Sequence, residues 1–220
     1  MTIQEAMQQR HSVRSYTDEK IPQDVVIRLT AEIDACNRES GLHIQLVTEE
    51  PKAFDGMMAH YGSFSGVRNY IALIGKDGGG LEEQIGYYGE RLVLLAQMLG
   101  LNTCWVAMTF SKSAAKKRCT VAPGEKLVCV LALGRGKTQG VPHRSKPMEA
   151  LCQAAEPLPN WFRTGMEAAM LAPTAVNQQK FRVTLDKDRA EFTSLGGFYS
   201  AVDLGIVKYH FEVGSKRAVR

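Results

Sequence analysis

The stretch Ala172-Pro173-Thr174-Ala175-Val176-Asn177-Gln178-Gln179-Lys180-Phe181-Arg182-Val183 lies between an apolar segment typical of a helix and an alternating segment typical of a strand. Pro173 restricts its own φ and disfavours helix at the preceding residue, so we expect the helix to end at about Ala172. Side chains that form hydrogen bonds are then concentrated at Thr174, Asn177, Gln178 and Gln179. Carboxamides both donate and accept, which suits the edge of a flat heterocycle with alternating carbonyl and N–H groups. A polar turn between a helix and a strand is the alternative interpretation.

Length and composition are those of an ordinary globular protein. A chain of 220 residues, 45% hydrophobic and 23% charged, can form one sizeable domain or two small ones that share a core. The formal net charge is only +4, and the basic residues are spread along the chain. This distribution gives little support to a nucleic-acid partner, although a local anion site remains open.

The cysteines and the N-terminus indicate the compartment. The chain has five cysteines, an odd number, and none of them form a Cys-x-x-Cys pair. We therefore expect no disulfides and no structural zinc site, which favours a reducing cytosol. The N-terminus is polar and lacks the apolar stretch of a signal peptide. No segment approaches the ~20 apolar residues of a membrane span. We therefore expect a cytoplasmic protein without a metal site or a membrane partner.

A second polar motif, Arg10-His11-Ser12-Val13-Arg14-Ser15-Tyr16, follows a short amphipathic segment over residues 2–9. Two guanidinium groups, hydroxyls and backbone donors together bind an anion such as phosphate well. A solvated basic turn is the alternative, because basic residues near the C-terminus of a helix are also favoured by its dipole.

Several regular elements are predicted from periodicity and from glycine and proline positions. They are a helix from Pro22 to Gly41, strands at Leu42–Val47, Tyr70–Ile74 and Glu125–Leu133, a long helix at Leu81–Leu99 and a helix at Pro159–Leu171. Gly196–Gly205 is rich in turn-forming residues. Ile206–Val213 alternates and fits either a final strand or a short helix.

The chain contains a weak internal repeat. An offset of 137 residues places Pro22 on Pro159, Leu29 on Met166 and Ile44 on Phe181. Proline, amphipathic helix, junction and alternating strand therefore recur at the same spacing, while the cluster of amides at Asn177, Gln178 and Gln179 occurs only at the second junction. Chance similarity between two helix–strand units is the alternative explanation.

These motifs together resemble the flavin-dependent nitroreductase family over most of residues 1–185. The Arg10–Tyr16 stretch is similar to the opening motif that binds the FMN phosphate and ribityl chain. Ala172–Phe181 resembles the family's Pro-Ser-x-x-Asn-x-Gln-Pro-Trp motif, which lines the flavin. Leu99–Val106 is similar to its Gly-Leu-Gly segment, where backbone groups face the ring system near N5. Ala132-Leu133-Gly134, followed by Arg144 and Lys146, resembles its last strand and second set of phosphate-binding residues.

The resemblance implies an α+β, nitroreductase-like fold with a central, mainly antiparallel sheet flanked by helices. We expect a single domain over 1–220, with 1–149 as a first half and 150–220 as a shorter second half. Ordinary members carry the amide motif early and are intertwined dimers, in which this motif reaches the flavin of the other subunit. Its late position here suggests a pseudo-dimer, in which the second half replaces the partner. A monomer with one flavin site is favoured, and a homodimer is the alternative.

The resemblance also implies FMN-dependent transfer of hydride from NAD(P)H to a small aromatic acceptor, such as a nitroaromatic or a quinone, by a ping-pong scheme. The implied cofactor-binding residues are Arg10, His11, Ser12, Arg14, Trp105, Val106, Ala107, Arg144, Lys146, Pro173, Thr174, Asn177 and Gln179. Hydride transfer to a flavin needs no side-chain acid, so no catalytic residue is assigned. A non-catalytic flavin-binding protein is one alternative, suggested by the short glycine-rich loop Asp77–Gly80. A family member specialised for another flavin reaction is a second.

Overall fold

The structure is a computed structural model that describes residues 1–155 and 157–219. Within them the helices are α1 Ile3–Gln9, α2 Gln23–Ser40, α3 Met57–Tyr61, α4 Leu81–Met98, α5 Lys112–Lys116, α6 Met148–Leu151, α7 Asn160–Ala169 and α8 Ser200–Ser215. The strands are β1 Gln45–Val47, β2 Asn69–Lys76, β3 Asn102–Val106, β4 Glu125–Gly134, β5 Cys152–Gln153, β6 Phe181–Asp186 and β7 Arg189–Ser194.

The chain divides into two compact units, which are described separately. The four-stranded unit comprises Gln9–Leu81 and Leu92–Pro142. The three-stranded unit comprises Met1–Gln8, Glu82–Arg91 and His143–Arg220. Helix α4 contributes residues to both units, because its sequence crosses the boundary at Arg91.

The sheet of the four-stranded unit is antiparallel throughout, in the order β1-β2-β4-β3. Its inner strands, β2 and β4, are almost continuous apolar runs and are buried along nearly their whole length. Such runs are typical of strands covered on both faces. The antiparallel sheet confirms that part of the predicted fold, and β3 is left at an edge, where its outer side can pair with another segment.

Helix α2 forms as predicted. Val25, Leu29 and Ile33 are buried at helical spacing. Gly41 ends the helix with φ 74°, and its N–H donates to the carbonyl of Asn37. The strand after it is shorter than predicted and begins at Gln45. The Asn37 side chain forms two hydrogen bonds with the backbone of Ile44, at 2.8 and 2.9 Å, which satisfy these groups outside a strand ladder.

The three-stranded unit has the order β5-β6-β7, with β5 parallel and β7 antiparallel to β6. Helices α7 and α8 pack closely through glycines. A Cβ at Gly165 would lie 2.7 Å from the Phe211 ring, and one at Gly214 would lie 2.4 Å from the Cβ of Ala168. Strand β7 was not predicted, since its alternating pattern is half-buried and mostly polar.

The C-terminal region differs from the sequence-based prediction. Ser200–Ser215 is one helix, so it begins inside the segment interpreted as turn-rich. Of the two alternatives for Ile206–Val213, the helix is the one that forms. Nine of its residues are buried, and a helix buried on most sides loses the 3.6-residue pattern that identifies a surface helix. Gly205 allows close contact with α4, because a Cβ there would lie 2.0 Å from the carbonyl oxygen of Glu83.

Candidate functional site

The Arg10–Tyr16 segment lies along the outer edge of β3. Ser12 forms a parallel bridge with Thr103, and the N–H of Val13 donates to the Thr103 carbonyl at 3.0 Å. The segment therefore continues the sheet beyond its edge strand. Because Thr103 directly precedes Cys104 and Trp105, the arginine motif and the second predicted group, Trp105–Ala107, occupy neighbouring stretches of the same edge.

Hydrogen bonds also fix the segment on its other side. The N–H of Tyr16 donates to the carbonyl of Ser65 at 3.0 Å, and the N–H of Ser65 donates to the carbonyl of Arg14 at 3.0 Å. The Tyr16 hydroxyl donates to the carbonyl of Val13 at 2.6 Å. This backbone is thus held before any ligand binds, which lowers the entropic cost of using its side chains.

The polar side chains of the motif surround a buried thiol. Burial raises the pKa of Cys104, while Arg14, a hydrogen bond with the Ser12 side chain and Arg10 act in the opposite direction. Cys104 is therefore a neutral thiol at pH 7. Arg10 is only 4% exposed, Arg14 is exposed and Ser12 is half-buried. The two guanidinium groups and the hydroxyl provide the donor set that an anion requires.

His11, Trp105, Val106 and Ala107 complete the predicted residues of this unit. His11 is half-buried and lies against Gly140, where an added Cβ would be 2.8 Å from that of His11. Trp105 is half-buried and Val106 is buried; they pair with Leu131 and Val130 of β4. Ala107 directly follows the end of β3.

A cleft of about 560 Å³ opens at the end of the motif, lined by residues that include Tyr16, Asp18, Phe54, Asp55, Arg68 and Lys137. None of the predicted flavin-binding residues lines it. Its two carboxylates offset its two cationic side chains, so it lacks the one-sided positive charge that selects a phosphate.

The second polar group is the Thr174–Gln179 turn of the three-stranded unit. Helix α7 ends at Ala169, before Pro173, close to the predicted position. Three residues of the turn that are not glycine have positive φ: Val176 at 46°, Asn177 at 54° and Gln179 at 47°. For a β-branched residue such as Val176 this conformation is an outlier. Strain of this kind, of order 1–3 kcal/mol per residue, persists only where the surroundings enforce it.

The amides of the turn bind it to the loop that carries Arg144 and Lys146. Gln179 accepts from the N–H of Lys146 at 2.8 Å and donates to the carbonyl of Arg144 at 3.0 Å. Asn177 donates to the same carbonyl at 3.0 Å. The ammonium of Lys146 donates to the carbonyls of Gln178 and Gln179. The hydroxyl of Thr174 accepts from the N–H of Gln179. The structure thus brings Arg144, Lys146, Thr174, Asn177 and Gln179 together, with the half-buried Pro173 preceding them.

Asp203, in the first turn of α8, also holds the Thr174–Gln179 turn, and sequence reasoning assigned it no role. Its carboxylate accepts from the N–H of Ala175 at 2.9 Å and from the amide of Gln178 at 2.7 Å. Burial raises the pKa of Asp203 to about 6, although these two bonds act to lower it. No local pattern identifies this contact, because its partners are distant in sequence and Asp203 lies in the segment interpreted as turn-rich.

Two further properties concern the part of the chain that the structure describes. No three His, Cys, Asp or Glu side chains there are grouped as metal ligands would be. None of its helices combines the length and the apolar character needed to cross a membrane.

Comparison with known proteins gives one family match and several structural relatives. The sequence model of the family described as "Putative TM nitroreductase" matches residues 2–215. No curated protein sequence matches significantly. A "putative nitroreductase" from Thermotoga maritima has a similar structure, with 23% identity and a TM-score of 0.66 over 97% of this chain and 83% of that one.

Two other solved structures cover less of this chain. A "putative nitroreductase" from Desulfovibrio desulfuricans, solved in complex with FMN, is 22% identical with a TM-score of 0.55, over 72% of this chain and 99% of that one. A "Putative NADH dehydrogenase/NAD(P)H nitroreductase" from Bacteroides thetaiotaomicron is 17% identical with a TM-score of 0.54, over 68% and 95%. These similarities confirm the predicted fold: α+β, with an antiparallel sheet flanked by helices.

Proposed function

The chain belongs to the "Putative TM nitroreductase" family, and from this premise we propose that it binds FMN and passes electrons from NAD(P)H to nitroaromatic, quinone or similar acceptors. The observation that carries the proposal is the arginine motif on the edge of β3, where two guanidinium groups and a hydroxyl are held on a fixed backbone. This donor set fits a phosphate with an adjoining polyol chain. The FMN complex of a structural relative supports the choice of cofactor.

Each group of residues has a proposed role in binding. The phosphate and ribityl end would be held by Arg10, His11, Ser12, Arg14, Arg144 and Lys146. The main chain of Trp105–Ala107 would contact the ring system. Pro173, Thr174, Asn177 and Gln179 would shape a second contact with the flavin. Their hydrogen bonds to the Arg144–Lys146 loop fix the shape of that surface. The positive charge of the arginine and lysine side chains would stabilise negative charge on the cofactor.

Bound flavin would supply the two-electron chemistry, and the protein would supply binding, orientation and electrostatics. In this mechanism the nicotinamide and the acceptor use the same surface in turn, which gives ping-pong kinetics. No side chain is required as a proton donor for hydride transfer, so no catalytic residue is assigned.

We expect the purified protein, reconstituted with FMN, to show the visible absorption of oxidised flavin and to oxidise NADH or NADPH when a quinone is present. The measurement is an absorption spectrum after dialysis, followed by initial rates at several quinone concentrations. Parallel double-reciprocal lines are expected. A protein that binds flavin but is reduced only slowly would support the non-catalytic alternative. A protein that cannot be reconstituted would contradict the proposed cofactor.

We also propose the pseudo-dimer organisation, with one FMN for each chain of 24.3 kDa and a monomer in solution. The extent of the structural alignments supports this organisation. Two relatives align over 95–99% of their own length with only 68–72% of this chain, so this chain carries a segment beyond the part that it shares with them. The measurement combines flavin absorbance per mole of chain with solution mass from light scattering. Two flavins per chain, or a dimer of about 49 kDa, twice the chain mass of 24.3 kDa, would contradict the proposal.

A further inference from the structure

We propose that Asp203 is a positioning residue whose ionisation sets the balance between a closed and an open Thr174–Gln179 turn, and that the closed turn is the form that contacts the flavin. The contact between the closed turn and the flavin rests on the proposed function. The role of Asp203 in the turn rests on the geometry around its carboxylate and can be tested without any ligand.

The turn needs an external clamp because its own conformation is unfavourable. Val176 is 87% exposed, so packing of its side chain does not hold it in the left-handed region. The residues on either side of Val176 and Asn177 are the ones that bond to Asp203: Ala175 through its backbone and Gln178 through its side chain. The carboxylate therefore fixes both ends of the strained pair.

Asp203 itself stands on a rigid support. It lies in the first turn of α8, and the packing of this helix against α4 leaves no room for a Cβ at Gly205 or Gly86, since either would lie 2.0 Å from a facing carbonyl oxygen. Gln178 also donates to the carbonyl of Phe198 at 2.7 Å, just before this helix. Opening of the turn therefore means that the turn moves and Asp203 stays.

The turn covers the carboxylate of Asp203, and this burial determines whether a lower pH closes or opens the turn. Asp203 is 5% exposed and bonds directly to the turn, so opening the turn admits water to the carboxylate and returns its pKa toward the ordinary 3.8. In the closed form burial raises this pKa to about 6. A proton therefore binds more tightly to the closed form, and lowering the pH favours closure.

Other charged groups near this region have their own partners. On the two helices, Lys208 pairs with Glu83 and His210 with Glu90. Beside the turn, the Lys146 ammonium bonds to backbone carbonyls, and His143 bonds to the carbonyl of Met170. None of these charges is among the causes of the Asp203 pKa, so a variant of Asp203 isolates its contribution.

The test uses the full-length protein without ligand. The protection of the Ala175 amide against hydrogen exchange, relative to its intrinsic rate, is measured by NMR at pH 7.5 and pH 5.0. We expect about a tenfold rise in protection at pH 5.0. Asp203→Asn cannot ionise and is expected to show no rise. Asp188→Asn is the matched control, because Asp188 is a 79% exposed carboxylate of the same unit, and it should behave as the wild type.

A flat or falling protection in the wild type would overturn the role of Asp203, as would the same rise in Asp203→Asn. If Asp203→Asn does not fold, Gln178→Met provides a second variant. It keeps the carboxylate and removes one of the bonds to the turn. We expect it to lower the protection of Ala175 at pH 7.5 about threefold to tenfold, the effect of one hydrogen bond. Unchanged protection in this variant would also overturn the proposal.

The flavin clause is tested with riboflavin, which has no phosphate; FMN is unsuitable because its phosphate titrates near pH 6, as phosphate monoesters do. If riboflavin binds only the closed turn, it is expected to raise the protection of the Ala175 amide in the wild type at pH 7.5 and at pH 5.0, by the factor 1 + [riboflavin]/Kd. Unchanged protection at a riboflavin concentration that saturates the protein would overturn this clause. If neither riboflavin nor FMN binds at any pH, the proposed function fails, while the role of Asp203 in the turn stands.

Discussion

Replacement of Glu90 by alanine is expected to lower the free energy of unfolding by about 3–5 kcal/mol, the range for removing one partner of a buried ionic pair. Both Glu90 and His210 are fully buried, and the His210 Nε2 lies 2.9 Å from a carboxylate oxygen of Glu90. The other ring nitrogen lies 3.1 Å from the carbonyl oxygen of Ala168 and must donate to it. The alanine variant therefore removes a hydrogen-bond partner of the buried imidazole and leaves a cavity beside it.

The measurement is urea denaturation of the wild type and the variants. Glu167→Ala is the matched control, since Glu167 is an exposed carboxylate on α7, and a change within about 0.5 kcal/mol is expected for it. The double variant Glu90→Leu with His210→Phe should recover much of the loss, because apolar residues of similar volume can replace a buried pair. A loss for Glu90→Ala no greater than that for Glu167→Ala would contradict the assignment of a buried pair.

Replacement of Arg10 by alanine is expected to weaken FMN binding about ten- to hundredfold, corresponding to the roughly 1.5–3 kcal/mol of a charged hydrogen bond. Arg10 is 4% exposed and lies beside a segment held by backbone bonds to β3 and Ser65. Its guanidinium is therefore positioned before the ligand arrives. Arg10→Lys should restore only part of the affinity, because an ammonium cannot form a bidentate contact with phosphate.

The measurement is titration calorimetry with FMN and, separately, with riboflavin. Riboflavin lacks the phosphate, so its affinity is expected to change little in Arg10→Ala. Arg28→Ala serves as a control, since Arg28 is an exposed arginine of the same unit on α2. Full retention of the yellow colour after dialysis by both Arg10→Ala and Arg144→Ala would show that the assignment of phosphate-binding residues is wrong.

The sequence predicted those elements whose pattern is complete within a short segment. The helical spacing of the apolar residues in α2, together with Gly41, predicts that helix. The apolar runs of β2 and β4 predict those strands. Helix α8 could not be identified from the sequence. Because the helix is buried on most of its sides, its apolar and polar residues do not alternate with the helical period.

The same distinction applies to the candidate site. The arginine motif is contiguous, and its side chains could be proposed from residue types alone. Its register against β3, set by the Ser12–Thr103 bridge, depends on a pairing distant in sequence. The backbone strain at Val176 and the hydrogen bonds from the turn to Asp203 could not be predicted either, because a single sequence indicates neither a backbone angle nor a tertiary hydrogen bond.

The bridge between Ser12 and Thr103 has a consequence for solubility. An edge strand with free N–H and C=O groups is a template for pairing with another chain, and this leads to aggregation. The Arg10–Tyr16 segment occupies part of that edge on β3 and places two cationic side chains beside it. These N-terminal residues therefore also protect the sheet against self-association. A chain that lost them to proteolysis would expose the unpaired edge of β3 and would lose the anion-binding motif as well.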